Sequence, residues 1–290
     1  MIHPSPPTPD PLALYGAHGI RRVEMTSRAG ATYVIHISVP PTGRANRVIV
    51  MLDGETFPVI REILRYQAGA TPNDPEAEPM LVAIGYPDAS RRVLDYSPHA
   101  LADDGRTGGG PVFRHFILET LLPWIASEFD AVGSHHTLMG HSMGGMFVID
   151  TLIAAPEAFH TYVASSPSVW WGERYLSRRV DAAVSDLARH SPPLQADAPP
   201  RRILMSTAEY ELSLSPAEQR LPADAQETLL ATRQARDMIE GNRRIAQRLA
   251  QWPGCSVSFT TFAGETHRSV WPRAVAVATR DEIVPPDLRI

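Results

Sequence analysis

Read for the spacing of its apolar positions, the chain separates into two kinds of segment. Ile20–Thr26 and residues 31–40 alternate apolar and polar side chains around Arg28-Ala29-Gly30, the period-two pattern of an antiparallel pair joined by a turn. Residues 47–52 and 80–84 are continuous β-branched and apolar runs, the pattern of strands buried on both faces of a parallel sheet. Residues 137–140, Thr161–Ser165, 203–206 and 256–262 predict four further strands. Helical spacing fills the intervals over Phe57–Ala68, 111–128, 144–154, Trp171–His190, 223–252 and 269–278. Two antiparallel strands followed by strand–helix alternation predict an α/β fold: a mostly parallel sheet of about eight strands with helices on both faces.

Three stretches stand outside that alternation. Residues 86–110 form a polar segment of 25 residues, longer than ordinary connections run, and read as a functional loop. Residues 191–200 are rich in Pro and Ala and read as a surface linker. The Pro-rich residues 1–14 predict an extended or disordered arm ahead of a single domain over 15–290. That start has neither a basic n-region nor an apolar h-region, so no signal peptide is expected. The longest stretch without Asp, Glu or Arg, 131–149, is interrupted by His, Ser and Gly and is no membrane span, so a cytoplasmic protein is expected.

Charge and composition narrow the chemistry. All 27 basic residues are arginine, against 32 acidic ones, for a net charge of −5. The absence of lysine removes Schiff-base, P-loop and Ser-Lys chemistries. A single cysteine, Cys255, excludes an internal disulfide and multi-cysteine metal sites. With pI near 6.1 and no basic run, no nucleic-acid partner is expected. His135, His136 and His141 cluster on one predicted strand, but adjacent strand side chains face opposite ways, so no metal or cofactor is expected.

Gly140-His141-Ser142-Met143-Gly144 supplies a nucleophile. An apolar strand precedes it and an apolar helical segment follows, which is the strand–turn–helix context that lifts a serine hydroxyl above a sheet edge. A serine needs a base. Of the eleven histidines, His160, His190 and His267 follow Ser142, and His267 alone sits between the last strand and the last helix, where the base of this architecture belongs. The acid should follow the strand at 203–206, where Glu209 and Glu211 stand; Glu211 is preferred, Glu209 is the alternative and Glu265 a poorer third. For the oxyanion, one backbone N–H comes from Met143 and the second from the Asp53-Gly54-Glu55 turn, with Glu55 preferred over Gly54.

At this point the ordered motifs resemble a family. They are Val50-Met51-Leu52-Asp53-Gly54, Ile84-Gly85-Tyr86-Pro87, Arg91-Arg92 with Asp95-Tyr96-Ser97-Pro98, Gly109-Gly110, Pro123-Trp124-Ile125, Gly140-His141-Ser142-Met143-Gly144-Gly145, Ala164-Ser165-Ser166-Pro167-Ser168-Val169-Trp170-Trp171 and Gly264-Glu265-Thr266-His267. Together they resemble the siderophore esterases of the putative-esterase (esterase D-like) branch of α/β-hydrolases, over roughly residues 15–280. The resemblance implies an α/β-hydrolase fold and hydrolysis of esters in catecholate or ferric hydroxamate siderophores, with Ser142 as nucleophile and His267 as base. Ala208 stands where members often carry Gly, and some members work as a Ser-His dyad, which leaves the acid open. The resemblance gives Arg91 and Arg92 a role in holding anionic substrate oxygens, and Trp170 and Trp171 a role in lining the pocket. The expected partner is a small-molecule ester, such as an iron-loaded siderophore. A general carboxylesterase, an acyltransferase or a non-catalytic scaffold of the same fold are the rival readings, and the oligomeric state is left open.

Overall fold

The computed structural model describes residues 19–40, 42, 43, 45–69, 78–101, 105–129, 131, 133, 135–190 and 200–283. The expected N-terminal arm and nearly all of the 191–200 linker lie outside these residues.

β1 (Ile20–Thr26) and β2 (Thr32–Ser38) pair antiparallel with Val23 opposite Ile35. Gly30, at φ 83°, supplies the left-handed residue of the turn, and the Ser27 hydroxyl accepts the Ala31 N–H at 3.1 Å. β3 (Arg47–Met51), β4 (Met80–Gly85), β5 (His135–His141), β6 (Thr161–Ser165), β7 (Arg201–Ala208) and β8 (Cys255–Phe262) complete one eight-stranded sheet in the order β1-β2-β4-β3-β5-β6-β7-β8. β2 runs antiparallel to β4; every pair from β4 to β8 is parallel. The direction of chain progression reverses at β3, whose neighbours are β4 and β5. Ligands bind in the crevice that such a reversal opens at the carboxyl ends of the strands.

The continuous apolar runs are buried on both faces, as their pattern requires. Ile49, Met51, Leu81, Ala83 and Met139 join Phe57, Ile60 and Leu64 of α1 (Phe57–Ala68) and Trp271 and Val275 of α9 (Val270–Ile283). Val48, Val50, Val82, Ile84 and Leu138 face the larger core. That core contains α3 (Gly110–Phe116), α4 (Leu122–Glu128), α5 (Met143–Ala154), α6 (Trp171–His190) and α8 (Met238–Leu249) residues. Asp150 of α5, 4% exposed, accepts hydrogen bonds from Arg114 at 2.8 Å and Tyr175 at 2.9 Å, tying α3 and α6 to the central helix.

Three segments depart from the sequence expectation. The 111–128 helix is interrupted by a π-helical stretch, Ile117–Leu121, immediately before Pro123. Proline lacks the N–H that Glu119 would accept, and the wider turn absorbs the missing bond. The 223–252 segment is two helices, α7 (Ala223–Arg236) and α8, broken where Asp237 turns left-handed at φ 51°. The 86–110 loop contains a short helix, α2 (Arg92–Tyr96), and folds back on itself. The Ser97 hydroxyl accepts the Gly108 N–H at 2.7 Å, and the Ser97 carbonyl accepts the Gly110 N–H at 2.8 Å.

Candidate active site

β5 ends at His141 and α5 begins at Met143, leaving Ser142 alone on the turn between them with φ 59° and ψ −118°. A residue with a β-carbon in that conformation is strained, and its neighbours must be small for the turn to close. A Cβ on Gly140 would come 2.7 Å from the Gly144 carbonyl carbon, and one on Gly145 would come 2.9 Å from the Ser165 oxygen. The Ser142 N–H donates to that same Ser165 carbonyl at 2.8 Å, which anchors the turn to β6.

The structure brings Ser142, His267 and Glu211 into one hydrogen-bonded line. His267 Nε2 lies 3.0 Å from Ser142 Oγ, and His267 Nδ1 bonds Glu211 Oε1. Because a carboxylate only accepts, the proton on this imidazole sits at Nδ1 and leaves the Nε2 lone pair facing the serine hydroxyl. Glu211 is buried, and its second oxygen accepts the Ala208 N–H at 3.0 Å, so the carboxylate is fixed from both sides.

The other two carboxylates have different tasks. Glu209 accepts the Gly264 N–H at 2.7 Å, and the Tyr210 N–H donates to the Glu265 carbonyl at 3.0 Å, which clamps the loop that carries His267. Glu265 bonds Ser269 and, at 3.2 Å, Arg273.

His141 stacks obliquely on His267 with ring centroids 4.6 Å apart, and its Nδ1 lies 3.2 Å from Ser165 Oγ. Burial, reinforced by the neighbouring His267 and Arg92, pushes the His141 imidazole down to about 3, so it stays neutral beside the site. Ser168, which the sequence reading did not single out, lies with its hydroxyl 3.3 Å from Ser142 Oγ. It arrives there through the 165–168 turn after β6, and no spacing rule in the sequence marks it.

Met143 is the first residue of α5, where backbone N–H groups have no intrahelical acceptor and the helix dipole favours negative charge. Glu55 lies in a single 3₁₀ turn, Gly54–Thr56, directly after β3. These are the two backbone positions expected to face a developing oxyanion.

Ser142, Glu211 and His267 line an open cleft with Trp170, Tyr210, Leu229, Thr232, Arg233, Arg236 and Met238. Trp170 is 38% exposed in this wall, whereas Trp171 is buried against His99 and Tyr175. The arginines of the cleft are therefore those of α7, not Arg91 and Arg92. Arg91 pairs with Asp95 at 3.4 Å, and Arg92 forks onto Asp53 through Nε at 2.9 Å and Nη2 at 3.2 Å. Arg233 is held by Glu218 at 2.6 Å and the Ser213 carbonyl at 2.7 Å. Arg236 lies over the Trp170 ring, 5.0 Å from its centroid. Sequence reading missed the α7 wall because Leu229, Thr232, Arg233 and Arg236 share one helical face that is not apolar. His135 stacks on His160 at 4.4 Å, away from the serine turn. Among the described residues no helix is long and apolar enough to cross a membrane.

The "Putative esterase" family model matches residues 27–251. Ferri-bacillibactin esterase BesA of Bacillus subtilis (strain 168) is 31% identical over 283 residues, covering 90% of this chain and 88% of that protein. The siderophore triacetylfusarinine C esterase of Aspergillus fumigatus is 28% identical over 292 residues, covering 93% of each. Among solved structures, the siderophore hydrolase EstB from Aspergillus nidulans superposes with a TM-score of 0.78 at 24% identity, covering 90% of this chain and 94% of that one. That likeness shows a shared α/β-hydrolase fold.

Proposed function

The chain belongs to the putative esterase family and is a carboxylic ester hydrolase, and from that premise we propose that it is a serine esterase cleaving siderophore esters through Ser142, His267 and Glu211. The observation that carries this reading is the Glu211–His267–Ser142 line mounted on the strained turn after β5.

Ser142 Oγ attacks the acyl carbon as its proton passes to His267 Nε2. The N–H groups of Met143 and Glu55 stabilise the oxygen that becomes negative. The tetrahedral adduct collapses as Nε2 returns the proton to the leaving alcohol oxygen, leaving an acyl-enzyme. Water then repeats the sequence with the same base and releases the acid. Glu211 holds the Nδ1–H tautomer throughout and stabilises the imidazolium that forms twice per turnover.

For the substrate, the names of the relatives agree with a siderophore, and the cleft supplies a matching surface. Trp170 offers an apolar plane, and Arg236, which has no carboxylate partner among the described residues, offers a cation beside it. An iron-loaded catecholate is anionic and aromatic, and a hydroxamate chelate presents oxygen-rich planar groups, so either class finds complementary contacts there. The test is hydrolysis of ferric and iron-free catecholate and hydroxamate esters, with Ser142→Ala as the blank. Cleavage by the wild type alone is expected; turnover confined to short p-nitrophenyl esters would remove the siderophore and keep the esterase.

A further inference from the structure

Resting on the serine-esterase reading above, we infer that Arg92 is a positioning residue of the oxyanion site: it holds and neutralises the Asp53 carboxylate that fixes the turn carrying the Glu55 N–H. The turn after β3 is strained before any ligand arrives, because Asp53 has φ 58° and ψ 67° although it carries a side chain. It cannot relax toward β4, since a Cβ on Gly54 would already lie 2.8 Å from the Gly85 nitrogen.

The turn is held from all sides. The Tyr96 hydroxyl accepts the Asp53 N–H at 3.1 Å. The Asp53 carbonyl accepts the N–H and the hydroxyl of Thr56, each at 3.1 Å. Thr56 Oγ1 in turn accepts the Trp271 Nε1–H at 3.1 Å. The Asp53 carboxylate takes both prongs of Arg92, whose guanidinium also lies over the Tyr96 ring at 5.5 Å. Arg92 and Tyr96 thus belong to one helix, α2, and grip the side chain and the backbone of the same residue.

Charge gives this grip a second consequence. Asp53 is 8% exposed, and its Oδ2 would be 3.5 Å from a Cβ on Gly144, so a carboxylate stands beside the serine turn. An unpaired anion there would oppose the negative oxygen that the reaction must form; paired with Arg92, Asp53 orders the turn without opposing it. Arg92 does not line the substrate cleft, so its effect reaches the reaction through Asp53.

The experiment measures kcat and KM on p-nitrophenyl butyrate and on a ferric siderophore ester for wild type, Arg92→Ala, Arg92→Lys and the Arg92→Ala/Asp53→Asn double variant, with inhibition by an aryl trifluoromethyl ketone, whose serine adduct carries the oxyanion. Arg92→Ala is expected to lower kcat tenfold or more with KM within about threefold, and to weaken the ketone by a similar factor. Arg92→Lys keeps the charge without the fork and should fall between; if Arg92→Ala does not fold, it is the variant that is read. Removing both charges should restore part of the kcat lost by Arg92→Ala alone. An unchanged kcat with KM raised only for a ferric siderophore would make Arg92 a substrate contact and overturn the inference, as would lost kcat with undiminished ketone affinity. A wild type inert on every ester would instead remove the esterase reading itself.

Discussion

Helix α5, which begins right after the Ser142 turn, and helix α7, which lines the cleft, are built in opposite ways. In α5, ten of twelve residues, from Met143 to Leu152, are buried; in α7, none of the fourteen is. α5 sits between the central sheet and α6, its first turn pinned to β6 by the Ser142–Ser165 bond. α7 roofs the cleft, attached through Arg233 to Glu218 and Ser213 at one level and through the left-handed Asp237 at its end. The difference separates two demands. Groups that form and break bonds need ångström-level placement, which a buried frame supplies; groups that select a substrate need only be presented to it.

The largest test of this division falls on the frame side. His267→Ala should lower kcat by several orders of magnitude on any ester, about as much as loss of the serine, because the two act as a unit. Glu211→Gln should cost less than either, and Glu209→Gln less again, since Glu209 acts on the backbone of Gly264 rather than on the imidazole. Burst and steady-state kinetics on p-nitrophenyl butyrate read all three. A Glu209→Gln defect exceeding that of Glu211→Gln would reverse the assignment of the acid.

Next in size is a pair of stability changes. Gly140→Ala places a methyl 2.7 Å from the Gly144 backbone, and overpacking of that kind costs about 1–3 kcal/mol. Gln234→Ala, on the exposed surface of α7, should stay within about 0.5 kcal/mol. Urea midpoints at constant m-value measure both, and similar losses would erase the contrast between the helices.

Arg236→Ala probes the roof alone. It should raise KM for a ferric siderophore ester about tenfold, equivalent to ~1.4 kcal/mol, and leave p-nitrophenyl butyrate nearly unchanged. An equal effect on both substrates would mean that α7 supports the catalytic line.

The gentlest probe is pH. On the frame side, burial pushes His135 down to about 4 and His141 to about 3, and lowers His136 as well. Below the ordinary histidine range near 6.5 the unfolded chain therefore binds protons that the folded chain refuses, so stability is lost as pH falls from about 6.5 toward 4. On the roof side, the Arg233 hydrogen bond holds Glu218 down to about 2. Its contribution is fully present above the ordinary carboxylate range and is lost only as pH falls from about 4.5 to 2. Thermal unfolding from pH 7 to 4 should thus show a falling Tm that His135→Gln reduces and Glu218→Gln leaves in place.

Which parts were legible in the sequence follows from the same division. β3 and β4 were readable because burial on both faces writes an uninterrupted apolar run, and β1 because one exposed face writes an alternating one; Ser142 and His267 stood out because they follow strands β5 and β8. The sequence favours Glu211 over Glu209 without excluding either, since two residues on one 3₁₀ turn point apart only once the turn is built. α2 left no periodic signal because it is five residues long, and it is held against the turn after β3 by Arg92 and Tyr96, both bonded to Asp53. Arg91 and Arg92 turn to Asp95 and Asp53 and not to the cleft, an outcome set by where β3 carries the Asp53 turn and written in no local pattern. The break at Asp237 was invisible because a left-handed residue with a side chain has no compositional mark.

The roof has one more property, which concerns inheritance rather than mechanism. Residues 212–237 make an excursion between Glu211 and α8, and the α7 part of it buries none of its fourteen residues. If α7 selects the substrate as proposed, substitutions there would change substrate range at less cost to folding than substitutions in the buried α5. Among descendants of one ancestral chain, diet should drift fastest along this excursion while the chemistry stays still.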